Sequence, residues 1–233
     1  MGKIWTIASG SGGTGKSSIA VALAQIAAGD RKKTLLLDAA GPFRTCDLFL
    51  GIQSLVTVDL TDVLVDHVKM DSAIYSLPGS PFLSYACTSL VTCLPLDELS
   101  ELILALQGKF DLIILDLPTG SDPFSASLMK GEDRILLVTR PDPFSLRPCE
   151  ALMQNYRSMP AQIVPVVNLE DRALLRRKMQ YDSDTMSLLL DSRVLGPVPR
   201  IPDFFTLKAN GEEAASLSWK EQRIFRRIYE GLA

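Results

Sequence analysis

Along the chain, short runs of consecutive apolar residues alternate with longer stretches in which apolar positions recur every three or four residues. The runs KIWTIAS (3–9), TLLLDA (34–39), FDLIILDLP (110–118), DRILLVTR (133–140), AQIVPVVN (161–168) and RVLGPVPR (193–200) predict strands. Successive side chains of a strand point to opposite faces, so unbroken apolar runs predict strands buried on both sides. The stretches SSIAVALAQIAA (17–28), DELSELILALQ (97–107), PFSASLMK (123–130), PFSLRPCEALMQNYR (143–157) and DTMSLLLD (184–191) carry helical spacing. Strands alternating with helices predict an α/β fold: three layers, a mostly parallel sheet with helices on both faces. The segment 39–96 is rich in Pro, Gly and Ser, and reads as loops and short elements above the sheet. No repeat or linker divides residues 1–233, so one domain is expected.

Between the first strand and first helix lies Gly10-Ser11-Gly12-Gly13-Thr14-Gly15-Lys16-Ser17, followed by Ser18. It fits G-x-x-x-x-G-K-[ST], and its strand–loop–helix setting is what that motif requires. Glycines let successive N–H groups converge on phosphate oxygens, and the positive end of the following helix faces the same point. Lys16 would then reach the terminal phosphates and the Ser17 hydroxyl would ligate Mg²⁺. A strand–helix turn that binds nothing is the bland alternative, and the ordered setting disfavours it.

Two acids stand at strand ends, Asp38 after TLLL and Asp116 after LIIL. In open α/β sheets ligands sit beyond the carboxyl ends of the strands, so both should project toward the phosphates. Asp116 is the expected magnesium ligand through water, and Asp38 a second metal-side and catalytic group beside Lys16. Pro118-Thr119-Gly120 could sense a terminal phosphate. Each acid taken alone could equally cap a turn.

Charge and cysteine usage narrow the partners. Twenty-four Lys and Arg against 27 acids give a net charge of -3, which disfavours nucleic-acid binding through bulk charge. No apolar run approaches the roughly 20 residues of a membrane span. The start, MGKIWTIASG, meets glycines before a signal-peptide core could form. Cys46, Cys87, Cys93 and Cys149 show no CxxC pairing, and the single histidine, His67, reads as surface or packing. A reduced, cytoplasmic setting is expected.

At these residues the chain resembles the MinD/ParA group of P-loop ATPases, and within it the MinD branch, whose members regulate the cell-division site. The resemblance runs from Lys3 to about Gly231. It rests on SGGTGKS, on DAAGPFRTCDLFLG with Asp38, Arg44, Asp47 and Gly51, on TVDLTDVL, on FDLIILDLPTG, and on LLRRKMQYDSDTMSLLLDSRVLGPVPR. It implies a P-loop NTPase fold, binding of ATP or ADP with Mg²⁺, a nucleotide-dependent homodimer, and hydrolysis timed by an activating partner protein. It implies phosphate contacts from Gly12, Gly13, Thr14, Gly15, Lys16, Ser17 and Ser18, and magnesium contacts from Ser17, Asp38 and Asp116. By position, Asn168 and the Pro199-Arg200 turn match the group's adenine-contacting elements, although an Asn at a strand end also has an ordinary capping role.

The chain departs from the group at two places. The group carries a lysine, reaching across the dimer to the partner's phosphates, where this chain has Ser11. It also carries a further Asp, positioning the attacking water, where this chain has Ala40. Loss of one such charge-stabilising donor costs roughly 3 kcal/mol, or about a hundredfold in rate. Arg44, Arg140 and Arg147 are the candidates to replace the lysine. The binding parts are intact while those favouring dimer-stimulated hydrolysis are depleted.

Two functions are therefore expected to compete. One is a slow Mg²⁺-dependent ATPase whose nucleotide state switches dimerisation for division-site or other intracellular positioning. The other is a hydrolysis-deficient nucleotide-binding scaffold, for example in pilus or secretion-system localisation. A metabolic phosphotransferase is disfavoured, since no lid or acceptor insert is identifiable. The last stretch, SWKEQRIFRRIYEGLA, gathers Ile224, Phe225, Ile228, Tyr229 and Leu232 on one helical face, with basic residues elsewhere. Such a helix could lie on the inner face of a membrane, but its resemblance to the group's final core helix favours packing on the sheet.

Overall fold

The structure is a computed structural model, and it describes residues 1–89, 96–120, 133–201 and 217–232. Strands β1 (Lys3–Ala8), β2 (Thr34–Asp38), β3 (Tyr75–Leu77), β4 (Ser80–Cys87), β5 (Leu112–Asp116), β6 (Arg134–Thr139) and β7 (Gln162–Val167) form one sheet. Its order is β3-β4-β2-β5-β1-β6-β7, and every pairing is parallel except that of the edge strand β3 with β4. The helices are α1 (Lys16–Gly29), α2 (Cys46–Leu50), α3 (Leu60–Val65), α4 (Leu96–Leu106), α5 (Pro143–Tyr156), α6 (Arg172–Arg176), α7 (Ser183–Leu189) and α8 (Trp219–Leu232).

Alternation along the buried strands builds two cores. Trp5, Ile7 and Leu36 face a layer formed with α1 and α8, which supply Ile19, Leu23, Phe225 and Ile228. Ile4, Leu35 and Leu37 face the opposite layer, with Leu99, Ile103, Leu106 and Leu152 of α4 and α5. Every residue of β2 and β5 is buried, as helices on both faces require. The three-layer α/β expectation is met.

Two details differ from the sequence reading. The segment 39–96 contributes β3 and β4, and β4 lies inside the sheet against β2. Its sequence, SPFLSYAC, mixes serines with apolar residues, so the run that marks a strand buried on both faces is missing. Conversely, RVLGPVPR makes only isolated bridges, Val166 to Leu195 and Glu170 to Pro199. Pro197 and Pro199 have no N–H to give a ladder, and Gly196 adopts φ +108°. The expected helix over 123–130 lies outside the described residues.

The last helix spends its apolar face on the core. Phe225, Ile228, Tyr229 and Leu232 are buried, and the Tyr229 ring packs 5.3 Å from that of Trp5. Arg226 grips Asp30, at the end of α1, through two hydrogen bonds of 3.0 and 2.9 Å. Packing on the sheet was the favoured expectation, and this is the arrangement seen. No helix among the described residues is long and apolar enough to cross a membrane.

Candidate nucleotide site

The site lies at the carboxyl edge of the three central strands. Register pairs Ile7 of β1 with Asp116 of β5, and Asp116 with Asp38 of β2. The loop leaving β1 therefore opens beside the last residues of two neighbouring strands. Gly13 at φ +70° and Gly15 at φ +86° supply the left-handed turns that curl the loop into α1. Below it, the Ser9 hydroxyl accepts from Thr14 Oγ1 at 2.9 Å and donates to the Ser11 carbonyl at 2.6 Å, fixing the loop from inside. A Cβ on Gly12 or Gly13 would meet nothing within 4 Å, so the outer side of the loop is open. The helix begins with no side-chain cap, which leaves its first N–H groups for a ligand.

Lys16 and Ser17 reach across to the β5 end. Lys16 Nζ donates to Thr119 Oγ1 at 2.8 Å, and the Ser17 hydroxyl donates to Asp116 Oδ2 at 2.5 Å. The other Asp116 oxygen, Oδ1, is buried without a hydrogen-bond partner. Burial pushes the Asp116 carboxyl up to about 7, and the nearby Asp38 carboxylate adds to the rise. Lys16 and the Ser17 hydroxyl oppose it, too weakly to restore the ordinary value.

Asp38 is differently engaged. Its Oδ1 accepts from the Ala40 N–H at 3.1 Å, and its Oδ2 from the N–H groups of Thr45 and Cys46, each at 3.0 Å. Both oxygens thus fasten the backbone that leads into α2. Between the two acids sits Cys46, fully buried, its thiol 3.5 Å from Asp116 Oδ2. Burial and both carboxylates push this thiol well up. A lone cysteine without a paired partner gave no sequence signal for this position.

On the far side of the loop, Asn168 is buried and donates from Nδ2 to the Thr14 carbonyl at 2.7 Å. A Cβ on Gly15 would collide with that same amide. Ser18 and Pro199 line a narrow crevice with Asn168. The Arg200 N–H donates to the Glu170 carbonyl at 3.0 Å, which places Arg200 on the wall of an adjoining cleft of about 840 Å³. Phe144, Leu169, Leu174 and Met179 give that cleft apolar walls suited to a flat ring, and the sequence reading missed it. The sites predicted at the loop, the two strand ends and the Asn168–Arg200 region are thus brought to one edge.

Two of the three arginines expected to stand in for a lysine at Ser11 are already engaged within the chain. Arg44 pairs with Asp47 at 3.0 Å and donates to Cys87 Sγ at 3.2 Å. Arg140 is held 3.0 Å from Asp142 and donates to Ser145 Oγ. Arg147 is exposed on α5, which approaches the loop so closely that a Cβ on Gly10 would overlap Pro148.

Residues 5–214 match the family model described as the CobQ/CobB/MinD/ParA nucleotide binding domain. The chain belongs to this family. Among its relatives is the septum site-determining protein MinD of Bacillus subtilis, 26% identical over 92% of this chain and 82% of that protein. The fold is that of the MinC:MinD cell division protein complex from Aquifex aeolicus, with TM-score 0.87, 22% identity, and coverage of 99% of this chain and 95% of that one. The MinD of Pyrococcus horikoshii, solved with Mg-ADP, superposes with TM-score 0.84 at 24% identity, covering 100% and 96% of the two chains. As a MinD/ParA chain it has the donors that a nucleotide and a hard divalent ion would need. The unpartnered Asp116 Oδ1, the Ser17 hydroxyl and the open loop fit such a group.

Proposed function

We propose that the protein binds ATP with Mg²⁺ and is a slow ATPase whose nucleotide state switches self-association, serving intracellular positioning of the kind performed by septum-site proteins. The observation that carries the reading is the Ser17–Asp116 hydrogen bond beside the Lys16–Thr119 contact. It links the phosphate loop to the end of β5 and to the segment that follows it. The match to a nucleotide binding domain supports the ATP-binding step.

In this reading the loop N–H groups from Gly12 to Ser18 cradle phosphate oxygens, and Lys16 leaves Thr119 to meet the outermost phosphate. Ser17 and Asp116 would hold the magnesium ion, which would supply charge neutralisation on the phosphates. Asn168, Pro199 and Arg200 border the base. Release of Thr119 by Lys16 frees residues 117–120 to report which nucleotide is bound.

A second reading, a nucleotide-holding scaffold with little turnover, is favoured by Asp38. Where the MinD/ParA pattern has a second Asp, this chain has Ala40, and its N–H occupies Asp38 Oδ1. Three of the carboxylate's roughly four acceptor positions are then taken by backbone N–H groups, which leaves one, on Oδ1, to orient water. Turnover measured together with molecular mass, in ADP and in ATP, separates the two. The ATPase reading expects slow Mg²⁺-dependent turnover that Lys16→Ala abolishes, with a mass increase in ATP. ATP retained without turnover above that variant would establish the scaffold instead.

A further inference from the structure

We propose that Cys46, Asp38 and Asp116 form a buried site for a thiophilic divalent cation of the Zn²⁺ or Cd²⁺ class. Each of the three offers one ligand atom, and those atoms lie within 4.8 Å of one another in a fully buried cluster. Tetrahedral ions with bonds of about 2.3 Å to sulfur and about 2.0–2.2 Å to oxygen hold their ligand atoms roughly 3.5 Å apart. The cluster therefore needs to draw in by only about an ångström to close on such an ion.

Two independent features point to a cation rather than to packing alone. Asp116 Oδ1 is buried with no hydrogen-bond partner, an arrangement that is costly unless a donor or a cation satisfies it. Cys46, although packed among apolar core residues, also presents its thiol to a carboxylate oxygen at 3.5 Å. The other described thiol on this edge, Cys87, faces the Arg44 guanidinium at 3.2 Å, which repels a cation.

Ligand chemistry sets the class of ion. Mg²⁺ prefers oxygen ligands in an octahedron and keeps several waters, which suits the solvent side of Asp116 beside Ser17. A sulfur ligand selects softer metals. On binding, the ion displaces the thiol proton now directed at Asp116 Oδ2, which is released to solvent, and draws Asp116 toward α2 and away from the Ser17 hydroxyl. The same carboxylate then serves either a hard ion at the loop or a soft ion beneath it.

The inference stands on the geometry of these side chains and not on nucleotide turnover. Its test uses the nucleotide-free full chain, adding Cd²⁺ alone and following the thiolate-to-cadmium charge-transfer absorption. The expected result is a saturable band for one ion per chain. Cys46→Ala and Asp116→Asn should each weaken it by at least about 10–100-fold, the loss that even an outer-shell partner causes. Cys87→Ser should keep it. Cadmium NMR on the unmodified chain, which needs no variant to fold, should report one sulfur among oxygens. A band of equal affinity in Cys46→Ala, or a signal with no sulfur or several, overturns the proposal. ATP turnover without the cadmium band would overturn this inference alone and leave the ATPase reading intact.

Discussion

The Ser17 hydroxyl meets Asp116 Oδ2 at 2.5 Å, joining the first turn of α1 to the last residue of β5 across the mouth of the loop. With Asp38 as the neighbouring strand end, two carboxylates share a buried edge, and Lys16 lies close enough to oppose their charge. Burial first, and then the Asp38 carboxylate, push the Asp116 carboxyl up to about 7. A divalent ion bound there would oppose that rise.

A pH dependence follows. Between the ordinary carboxylate range near 4 and about 7, folded Asp116 keeps a proton that the unfolded chain has lost. The Asp116 contribution to stability therefore falls as pH rises through that window, by an amount on the order of a few kcal/mol, and is flat above it. Urea denaturation at pH values bracketing the window, for the nucleotide-free chain and for Asp116→Asn, checks this. The variant should lack the contribution, and equal slopes for the two proteins would exclude Asp116 as its source.

The Asn168–Thr14 bond predicts a stability effect separable from ligand binding. Asn168→Ala leaves the buried Thr14 carbonyl unpaired and should cost about 1–3 kcal/mol. Gly15→Ala should cost at least about 1–2 kcal/mol, because φ +86° disfavours any Cβ and the new methyl collides with the Asn168 amide. Combining the two removes the collision, so the double variant should lose less than the sum of the single ones. Thermal unfolding of the three proteins measures this, and strict additivity would contradict the contact.

Strands β1, β2, β5, β6 and β7 were legible because burial on both faces writes itself as unbroken apolar runs. β4 was not, since Ser80, Pro81 and Ser84 interrupt its run and Ser84 is tolerated near the sheet edge. The loop, Lys16 and Ser17 were legible because phosphate binding fixes both residue type and spacing. Cys46 was hidden for the opposite reason. Its place between two acids depends on the Asp38 carboxylate holding the turn into α2, a long-range geometry that no local spacing encodes.

Asp38 is expected to act structurally before it acts chemically. Its carboxylate accepts three backbone N–H groups from Ala40, Thr45 and Cys46. Asp38→Ala leaves these donors without their acceptor at a site where Asp38 and Cys46 are fully buried. It should cost at least about 2 kcal/mol in the nucleotide-free protein. Ala40→Asp keeps those donors while adding a second carboxylate, so its stability should change little compared with Asp38→Ala. Chemical denaturation of both variants decides, and an Asp38→Ala protein as stable as the parent would show that the turn is held by other contacts.

Ser11 gives the sharpest test of the switching proposal. Its backbone is already fixed, the N–H donating to Ser9 Oγ at 3.2 Å and the carbonyl accepting from it at 2.6 Å. The side chain is half-buried at the edge of an open loop, so a longer one can extend outward without unpicking these bonds. Ser11→Lys should leave unfolding stability within about 0.5 kcal/mol of the parent, the usual range for a surface change. If the lysine acts across a dimer, turnover should rise by up to about a hundredfold, the worth of one fixed charge-stabilising donor. The gain should grow with protein concentration, because each site then draws its cation from a second copy. A rise independent of concentration would place the new charge in its own site, and no rise at all would favour the scaffold reading, in which Asp38 and Ala40 limit the chemistry.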